Sequence, residues 1–584
     1  MTTTEQATPS AGAPPLPDAD VRAGLDAAIA RVAAGEQRWA ALGTAERAAL
    51  LGRVHAAVAS QSEQWVAAAV RAKNLDPESP LVGEEYLSGP YCTLSGILTL
   101  QHSLSAVAEG KSPVQDIKLG TAPGGRVSVP VLPTSAYEYL LLHGFSADVW
   151  MKPGVTVDQV RERAGLGALT PTATGGVGLV LGAGNISSIA PLDVVYELVA
   201  NNRVVILKLN PTMNELLPVY EAAFAPLIEL GVLAIVTGAG DVGSYLAHHP
   251  DIAHVHITGS AVTHDVIVWG SGPEGAARRA AGTPVLDKPI TSELGGVSPI
   301  IVVPGEWSSA DLRFQAQHIA TQRLHNGGYN CIAGQVVVLS SQWPQRDAFV
   351  EELRRAVTAA PERVPWYPGS ADRVAAAGTA YATADHLGKG GGRLLIDARD
   401  GVDAAAIETT EYFSPVLGII DVPGAGRAFL DAAIDHANTA LVGTLGANVL
   451  ASPASLKELG SGFDEALAHL DYGTIAVNAW TGVGFLTAGA PWGAFPGHTI
   501  DDVQSGIGIV HNAFLLQDTE RTIVRGPFRP FPRSFVGGEF SLSPKPPWFV
   551  SARSARRTGQ LLTRFAGKPS WAKLPGIFAS AFRA

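Results

Sequence analysis

Sulfur is scarce in this chain: two cysteines and three methionines in 584 residues. Cys92 and Cys331 are too few and too far apart to make a disulfide framework, so the expected compartment is a reducing cytoplasm. The first residues, Met1 to Gln6, lack the basic and apolar regions of a secretory leader. No uninterrupted apolar run reaches the roughly 18 residues that span a bilayer, the nearest candidates being broken by Glu197, Arg203 and Lys208. Charge is sparse at 16 % and hydrophobic residues reach 46 %, which implies a well-buried globular protein of two to four packed units. The net charge of -11 speaks against a nucleic-acid binder. Acid is itself missing from one region: residues 521–584 hold 12 Lys or Arg against one acid, Glu539.

Residues 1–19, rich in Thr, Ala and Pro, cannot bury enough to order themselves. From Asp20, apolar residues at spacings of three and four (Val21, Leu25, Ile29, Val32; Leu50, Leu51, Val54, Val58) predict helices, continuing to about residue 110. Glycine, proline and β-type residues over about 120–153 predict an extended arm suited to subunit contact. From Gly175 the pattern alternates. Strands at 177–181, 204–208, 232–237 and 254–258 are separated by helices near 191–200, 216–230 and 242–248, as in a doubly wound parallel sheet. A second α/β unit follows, with strands near 300–303, 336–339, 416–420 and 473–478. Beyond about residue 520, prolines and arginines replace that alternation. The resulting division is a first unit over 20–296, a second α/β unit over 297–495, a return segment over 496–525 and a basic tail over 526–584.

Several motifs lead nowhere. Gly238-Ala239-Gly240-Asp241-Val242-Gly243 has the G-x-G-x-x-G form between a strand and a helix, but no acid ends the next strand, so it reads as a tight turn near a cofactor. Gly110-Lys111-Ser112 lacks the glycine and strand of a phosphate loop. The histidines at 248, 249, 254 and 256 lack an acid at ligand spacing, and no metal site is expected. No G-x-S-x-G is present.

Cys331 differs from Cys92 in its setting, the glycine-loosened run Leu324-His325-Asn326-Gly327-Gly328-Tyr329-Asn330-Cys331 between a helix-like and a strand-like segment. A cysteine there is either a small buried hydrophobe or a nucleophile, and the second role needs exposure with donors or positive potential nearby. Three further pieces bear on the choice: Asn185 at the tip of a strand, Glu293 before Gly295-Gly296, and Glu411-Tyr412-Phe413.

In their order along the chain these residues resemble the aldehyde dehydrogenase superfamily, from about Arg22 to about Gln517. The resemblance implies an α/β fold with a Rossmann-type cofactor domain, a second α/β catalytic domain and an oligomerisation arm. It also implies an NAD- or NADP-dependent oxidation of an aldehyde to a carboxylic acid. Cys331 looks like the nucleophile, Asn185 like the oxyanion amide and Glu293 like the general base. Lys208 matches the ribose-binding lysine, Gly259 and Ser260 the turn beside the cofactor phosphates, Gly295 the glycine pair, and Glu411 with Phe413 the pair at the nicotinamide riboside. Asn478 and Pro491-Trp492-Gly493 fall where the family closes its catalytic domain. Departures are Ala183-Gly184 where the family has Pro-Trp, His264 in place of a glycine, Pro211 where NAD-preferring relatives carry an acid, and an insertion at 305–307. The implied partners are a small aldehyde and other copies of the chain, as a dimer or tetramer. The basic, aromatic tail reads either as a strap on the acidic body or a neighbouring subunit, or as a peripheral attachment to an anionic membrane. Two other functions stay open: a CoA-acylating aldehyde dehydrogenase or acyl-CoA reductase, and a non-catalytic scaffold of the same fold.

Overall fold

The computed structural model of the protein describes residues 16–399 and 401–584; the first fifteen residues of the expected unstructured N-terminus lie outside them. The first helix, Ala19–Ala33, begins at Asp18, whose side chain caps it by accepting from the Val21 N–H at 2.9 Å. The helices Thr44–Ala72 and Cys92–Ala108 then pack along each other.

Among the described residues the strands form two sheets. The six-stranded sheet runs in the order Gly506–Ile507, Ile290–Leu294, Ile252–Gly259, Val177–Leu181, Val204–Lys208, Leu233–Val236. Its strands are parallel except for Gly506–Ile507 at the edge. The near-continuous Val, Ile and Leu of strands 177–181 and 204–208 reflect burial on both faces. The order turns back at Val177–Leu181, with the next strand on one side and Ile252–Gly259 on the other. Crevices at such switch points, beyond the strand C-termini, are where open α/β sheets bind ligands.

The second sheet has eleven strands, with a parallel centre formed by Thr474–Val477, Gly446–Leu450, Ser298–Val302, Gly334–Ser340 and Val416–Val422. Two features depart from expectation. Thr519–Arg525, placed by the sequence reading where the alternation ends, is a strand pairing in parallel with Thr474–Val477. Its antiparallel neighbour is Ser146–Met151 of the arm, followed by Arg126–Leu132 and Gly120–Ala122. The arm thus extends this chain's own sheet, because residues 519–525 bridge it to the parallel centre.

The tail packs on the body. Helix Ala555–Gly567 lies on the segment Val82–Tyr91, where Arg564 pairs with Glu63 at 2.9 Å and Arg556 with Glu78 at 2.5 Å. At 305–307 the inserted Trp307 is buried edge-on against Trp343, Phe349 and Phe528. No helix among the described residues is long and apolar enough to cross a membrane.

Candidate active site

The cysteine loop lies between helix Ser309–Leu324 and strand Gly334–Ser340. Asn326, Gly327 and Gly328 all take positive φ, at 55°, 74° and 84°, and this reversal turns Cys331 toward the cofactor sheet. A buried polar group holds Asn326 in that conformation. Its N–H donates to Glu84 at 2.9 Å, its side-chain oxygen accepts from Lys73 at 3.1 Å, and its amide donates to the carbonyls of Asn185 and Tyr329, each at 3.0 Å. Lys73 and Glu85, both without solvent exposure, pair at 2.8 Å, and Arg363 bridges Glu84 and Glu85. Arg323 spans the loop, donating to Gly328 O at 2.9 Å and to Ala333 O at 3.4 Å. Nothing in the sequence pattern linked Lys73, Glu84 or Arg363 to Cys331.

Asn185 arrives from the other sheet, at the end of Val177–Leu181. Its amide donates to the Tyr329 carbonyl at 3.1 Å, which leaves a second N–H free of protein partners among the described residues. Glu293, near the end of strand Ile290–Leu294, is buried and neither carboxyl oxygen has a hydrogen bond of good geometry. Burial pushes its carboxyl up to about 7, and the charge of Asp193 adds to that; the facing Cys331 thiol and Trp492 indole act the other way. The thiol of Cys331 lies well above its ordinary range because of burial first and the Glu293 charge second. The positive potential expected for this cysteine is therefore not what surrounds it. The sulfur rests as a neutral thiol beside a carboxyl balanced between its two forms.

Behind Glu293 lies a polar network that the sequence reading did not connect with the cysteine. Asp193, fully buried, accepts from Thr258 at 3.1 Å and faces His511 at 3.2 Å and His256 at 3.6 Å. Burial resists charging His256, but Asp193 lifts it above its usual value. His256 Nδ1 meets Thr291 at 2.9 Å, and Thr291 meets His254 at 3.4 Å. The histidines expected to be bland are thus tied into side-chain hydrogen bonds, and no metal-binding group of three ligands occurs among the described residues.

The residues expected at a cofactor divide between the two sheets. Lys208 ends strand Val204–Lys208, buried, with its ammonium depressed by burial against the opposing charge of Asp241. Gly259 and Ser260 are exposed at the end of Ile252–Gly259, and Ser260 caps the helix Ala261–Trp269 through the Thr263 N–H at 3.2 Å. These positions end the two strands that flank Val177–Leu181, where the strand order turns back. His264, by contrast with Gly259 and Ser260, is completely buried. Glu411 and Phe413 approach from the catalytic domain. The Glu411 carboxyl lies on Gly295 so closely that a Cβ there would overlap it, and its Oε1 is buried without a partner. Burial raises Glu411 to about 8. Phe413 holds φ at 43°, an uncommon conformation for a bulky residue of the kind that clusters at ligand clamps. An orphaned carboxyl oxygen on Glu411 and the buried Lys208 ammonium fit a dinucleotide with hydroxyl donors and a phosphate group. Asn478 is structural: at φ 53° it exchanges two 2.9 Å hydrogen bonds with the Ala451 backbone.

Residues 172–367 match the model of the aldehyde dehydrogenase family. Betaine aldehyde dehydrogenase 2 of Rhizobium meliloti (strain 1021) is 37 % identical over 129 residues, which is 22 % of this chain and 23 % of that protein, so the aligned segment spans about a quarter of the relative's length. Among solved structures, a mutant of aldehyde dehydrogenase C from Pseudomonas syringae, complexed with NAD+ and octanal, superposes with a TM-score of 0.57 at 19 % identity, covering 87 % of this chain and 90 % of that one. The NADP-dependent glyceraldehyde-3-phosphate dehydrogenase of Bacillus halodurans, complexed with NADP, gives 0.57 at 19 % identity over 86 % and 91 %. Residues 172–367 thus carry a segment matching the aldehyde dehydrogenase family, and the fold around that segment is similar to that of solved aldehyde dehydrogenases.

Proposed function

We propose that this protein is an NAD(P)-dependent aldehyde dehydrogenase that oxidises an aldehyde to a carboxylic acid through a covalent intermediate on Cys331. The observation that carries the reading is the Glu293 carboxyl, buried without a good hydrogen bond, brought to about 7 and facing the thiol of the one partly exposed cysteine. A carboxyl of that kind takes a proton near neutral pH.

The residues assign the steps. Glu293 in its ionised form accepts the Cys331 proton as the sulfur adds to the aldehyde carbon. The resulting alkoxide lies within reach of the free N–H of Asn185 and of the Cys331 N–H, donors of a type worth about 3–4 kcal/mol each. A bound nicotinamide supplies the acceptor for the hydride that leaves this carbon. Loss of the hydride makes a thioester on Cys331. Glu293, after losing the first proton to solvent, takes a proton from water as the hydroxide adds to the thioester carbonyl, and it returns that proton to the Cys331 sulfur as the acid departs.

Lys208, Gly259, Ser260, Gly295, Glu411 and Phe413 would hold the dinucleotide, Lys208 and Glu411 by its ribose hydroxyls. Pro211 puts no carboxylate where one would repel a 2'-phosphate, so NADP is admitted as well as NAD. Glu293 favours water over CoA as the acceptor of the acyl group, since transfer to a thiol does not need a water-activating base. The test is incubation with a panel of aldehydes, each with NAD or NADP and with or without CoA, following reduced nicotinamide by absorbance. Turnover without CoA is expected. Turnover only with CoA would replace hydrolysis by acyl transfer, and none with any aldehyde would overturn the reading.

A further inference from the structure

The space directly before Cys331 is small. It measures about 40 Å³ and is bounded by Ile186, Ile189, Trp480, Phe485 and Trp492. That volume takes a carbonyl and little more, at roughly 30 Å³ for a water-sized group. Beside it lies a cavity of about 620 Å³, and Leu87, Leu486 and Trp548 line both. Those three side chains belong to the boundary of both spaces. The larger space lies in the range of small-molecule sites and holds about twenty water-sized groups.

Its walls come from regions far apart in sequence: helix Cys92–Ala108, the arm helix Ala136–Leu141, the turn before Trp548, and the tail helices Ala555–Gly567 and Leu574–Ala581. Leu98, Leu141, Leu562, Phe565, Ile577 and Phe578 supply much of the surface. No lysine or arginine lines the chamber, although the tail that roofs it is strongly basic. The basic side chains face outward, where Arg564 and Arg556 meet Glu63 and Glu78. Glu138 is the single acid on the wall, and its carboxylate already accepts from the Thr134 N–H at 2.6 Å and hydroxyl at 2.9 Å. The histidines His102 and His143 and the hydroxyl side chains of Tyr91, Tyr137, Ser95 and Thr99 also reach the wall, but most of the surface is apolar. Covering that surface favours hydrocarbon over a charged ligand.

We infer that the substrate is an aldehyde with a long unbranched hydrocarbon tail, which lies in this chamber beneath the C-terminal helices while its carbonyl reaches Cys331 past Leu87, Leu486 and Trp548. The inference rests on the aldehyde dehydrogenase reading and adds the substrate class. It also gives the tail's amphipathic helix a place other than a membrane surface.

Two measurements separate the chamber from the chemistry. The first is kcat/KM for straight-chain aldehydes from propanal to dodecanal, with the preferred cofactor. A rise of about fourfold per methylene over part of the series is expected, since each buried CH2 is worth about 0.8 kcal/mol. In Leu562→Trp, and separately in Ile577→Trp, the added ring occupies the chamber, and the dodecanal-to-propanal ratio is expected to fall at least tenfold. The second is calorimetric titration of Cys331→Ser with dodecanoate and with propionate, which needs no turnover and no change in the tail. Tight binding of dodecanoate alone is expected. Turnover that is flat with chain length, or equal weak binding of both acids, overturns the chamber as the tail site and leaves the enzymatic reading intact. Dodecanoate binding without turnover of any aldehyde supports the chamber and overturns the enzymatic reading.

Discussion

The two sides of Cys331 are built on opposite principles. Toward the cofactor sheet it faces buried acids: Glu293 without a good hydrogen bond and Glu411 with one orphaned oxygen, both raised by burial to near or above neutrality. Away from that sheet it faces tryptophan, phenylalanine and leucine, then a mostly apolar chamber that no lysine or arginine lines. Unsatisfied buried acids cost stability, so the first side is arranged for groups that arrive with hydrogen-bond donors. The second side is already satisfied by packing and asks only for hydrocarbon. The contrast separates chemistry from specificity: polar groups decide what happens to the carbonyl, and apolar volume decides which carbonyl compound arrives.

The comparison can be broken most severely at the sulfur. Cys331→Ser is expected to lower kcat by at least about 10³-fold while binding of NAD or NADP, followed by fluorescence, persists. Loss of cofactor binding as well would mean that the cysteine holds the loop and is not only the nucleophile. Next is Glu293→Gln. It should slow steady-state turnover by about 10²- to 10⁴-fold, and it should also slow the first-turnover appearance of reduced nicotinamide, because Glu293 takes the Cys331 proton before the hydride leaves. Wild-type activity should rise with pH through about 7 as the carboxyl ionises, and the variant should lack that rise. The same substitution should stabilise the protein at pH 8. The folded carboxyl sits above its unfolded value of 4.5, so its favourable contribution is complete below 4.5 and is lost as pH rises through about 7. Replacing it should recover on the order of 1–3 kcal/mol, read as a higher Tm. An unchanged Tm would mean that water already relieves the carboxyl.

Asn185→Ala should reduce kcat by about 10²- to 10³-fold with little change in KM for the aldehyde, as expected of a donor that acts mainly on the alkoxide. Gly295→Ala forces Glu411 aside and is expected to raise KM for the dinucleotide about tenfold, in a constant-aldehyde assay, with a smaller effect on kcat. The smallest effect belongs to Asp193→Asn. Its charge raises Glu293, so removing it should move the acid limb of the pH profile downward. The move is partly offset because His256 loses the anion that keeps it charged.

Much of the cofactor unit was legible in the chain. Val177–Leu181 and Val204–Lys208 were predicted at their observed bounds because doubly buried strands read as unbroken apolar runs. The positions proposed for the site, Cys331, Glu293 and Asn185, each lie at a strand tip or glycine turn that marks itself in sequence. The strand Thr519–Arg525 was not. Its residues read Thr-Glu-Arg-Thr-Ile-Val-Arg, with Arg521 buried against the Leu467 and Leu470 carbonyls, and no local pattern distinguishes such a segment from a polar return. The Lys73, Glu84, Glu85 and Arg363 group was equally hidden, since in sequence each is an ordinary charged residue on a helix or loop.

Short-range features were determined by the sequence alone: which strands are buried on both faces, where glycine permits a reversal, and which side chains are candidates for nucleophile, base and oxyanion donor. These follow from neighbours a few residues apart. Tertiary structure alone decided that Cys331 rests as a neutral thiol beside Glu293, that the arm joins its own chain's sheet, and that a basic tail roofs an apolar chamber. Those outcomes depend on desolvation and on volumes enclosed by segments hundreds of residues apart, and neither quantity exists until the chain has folded.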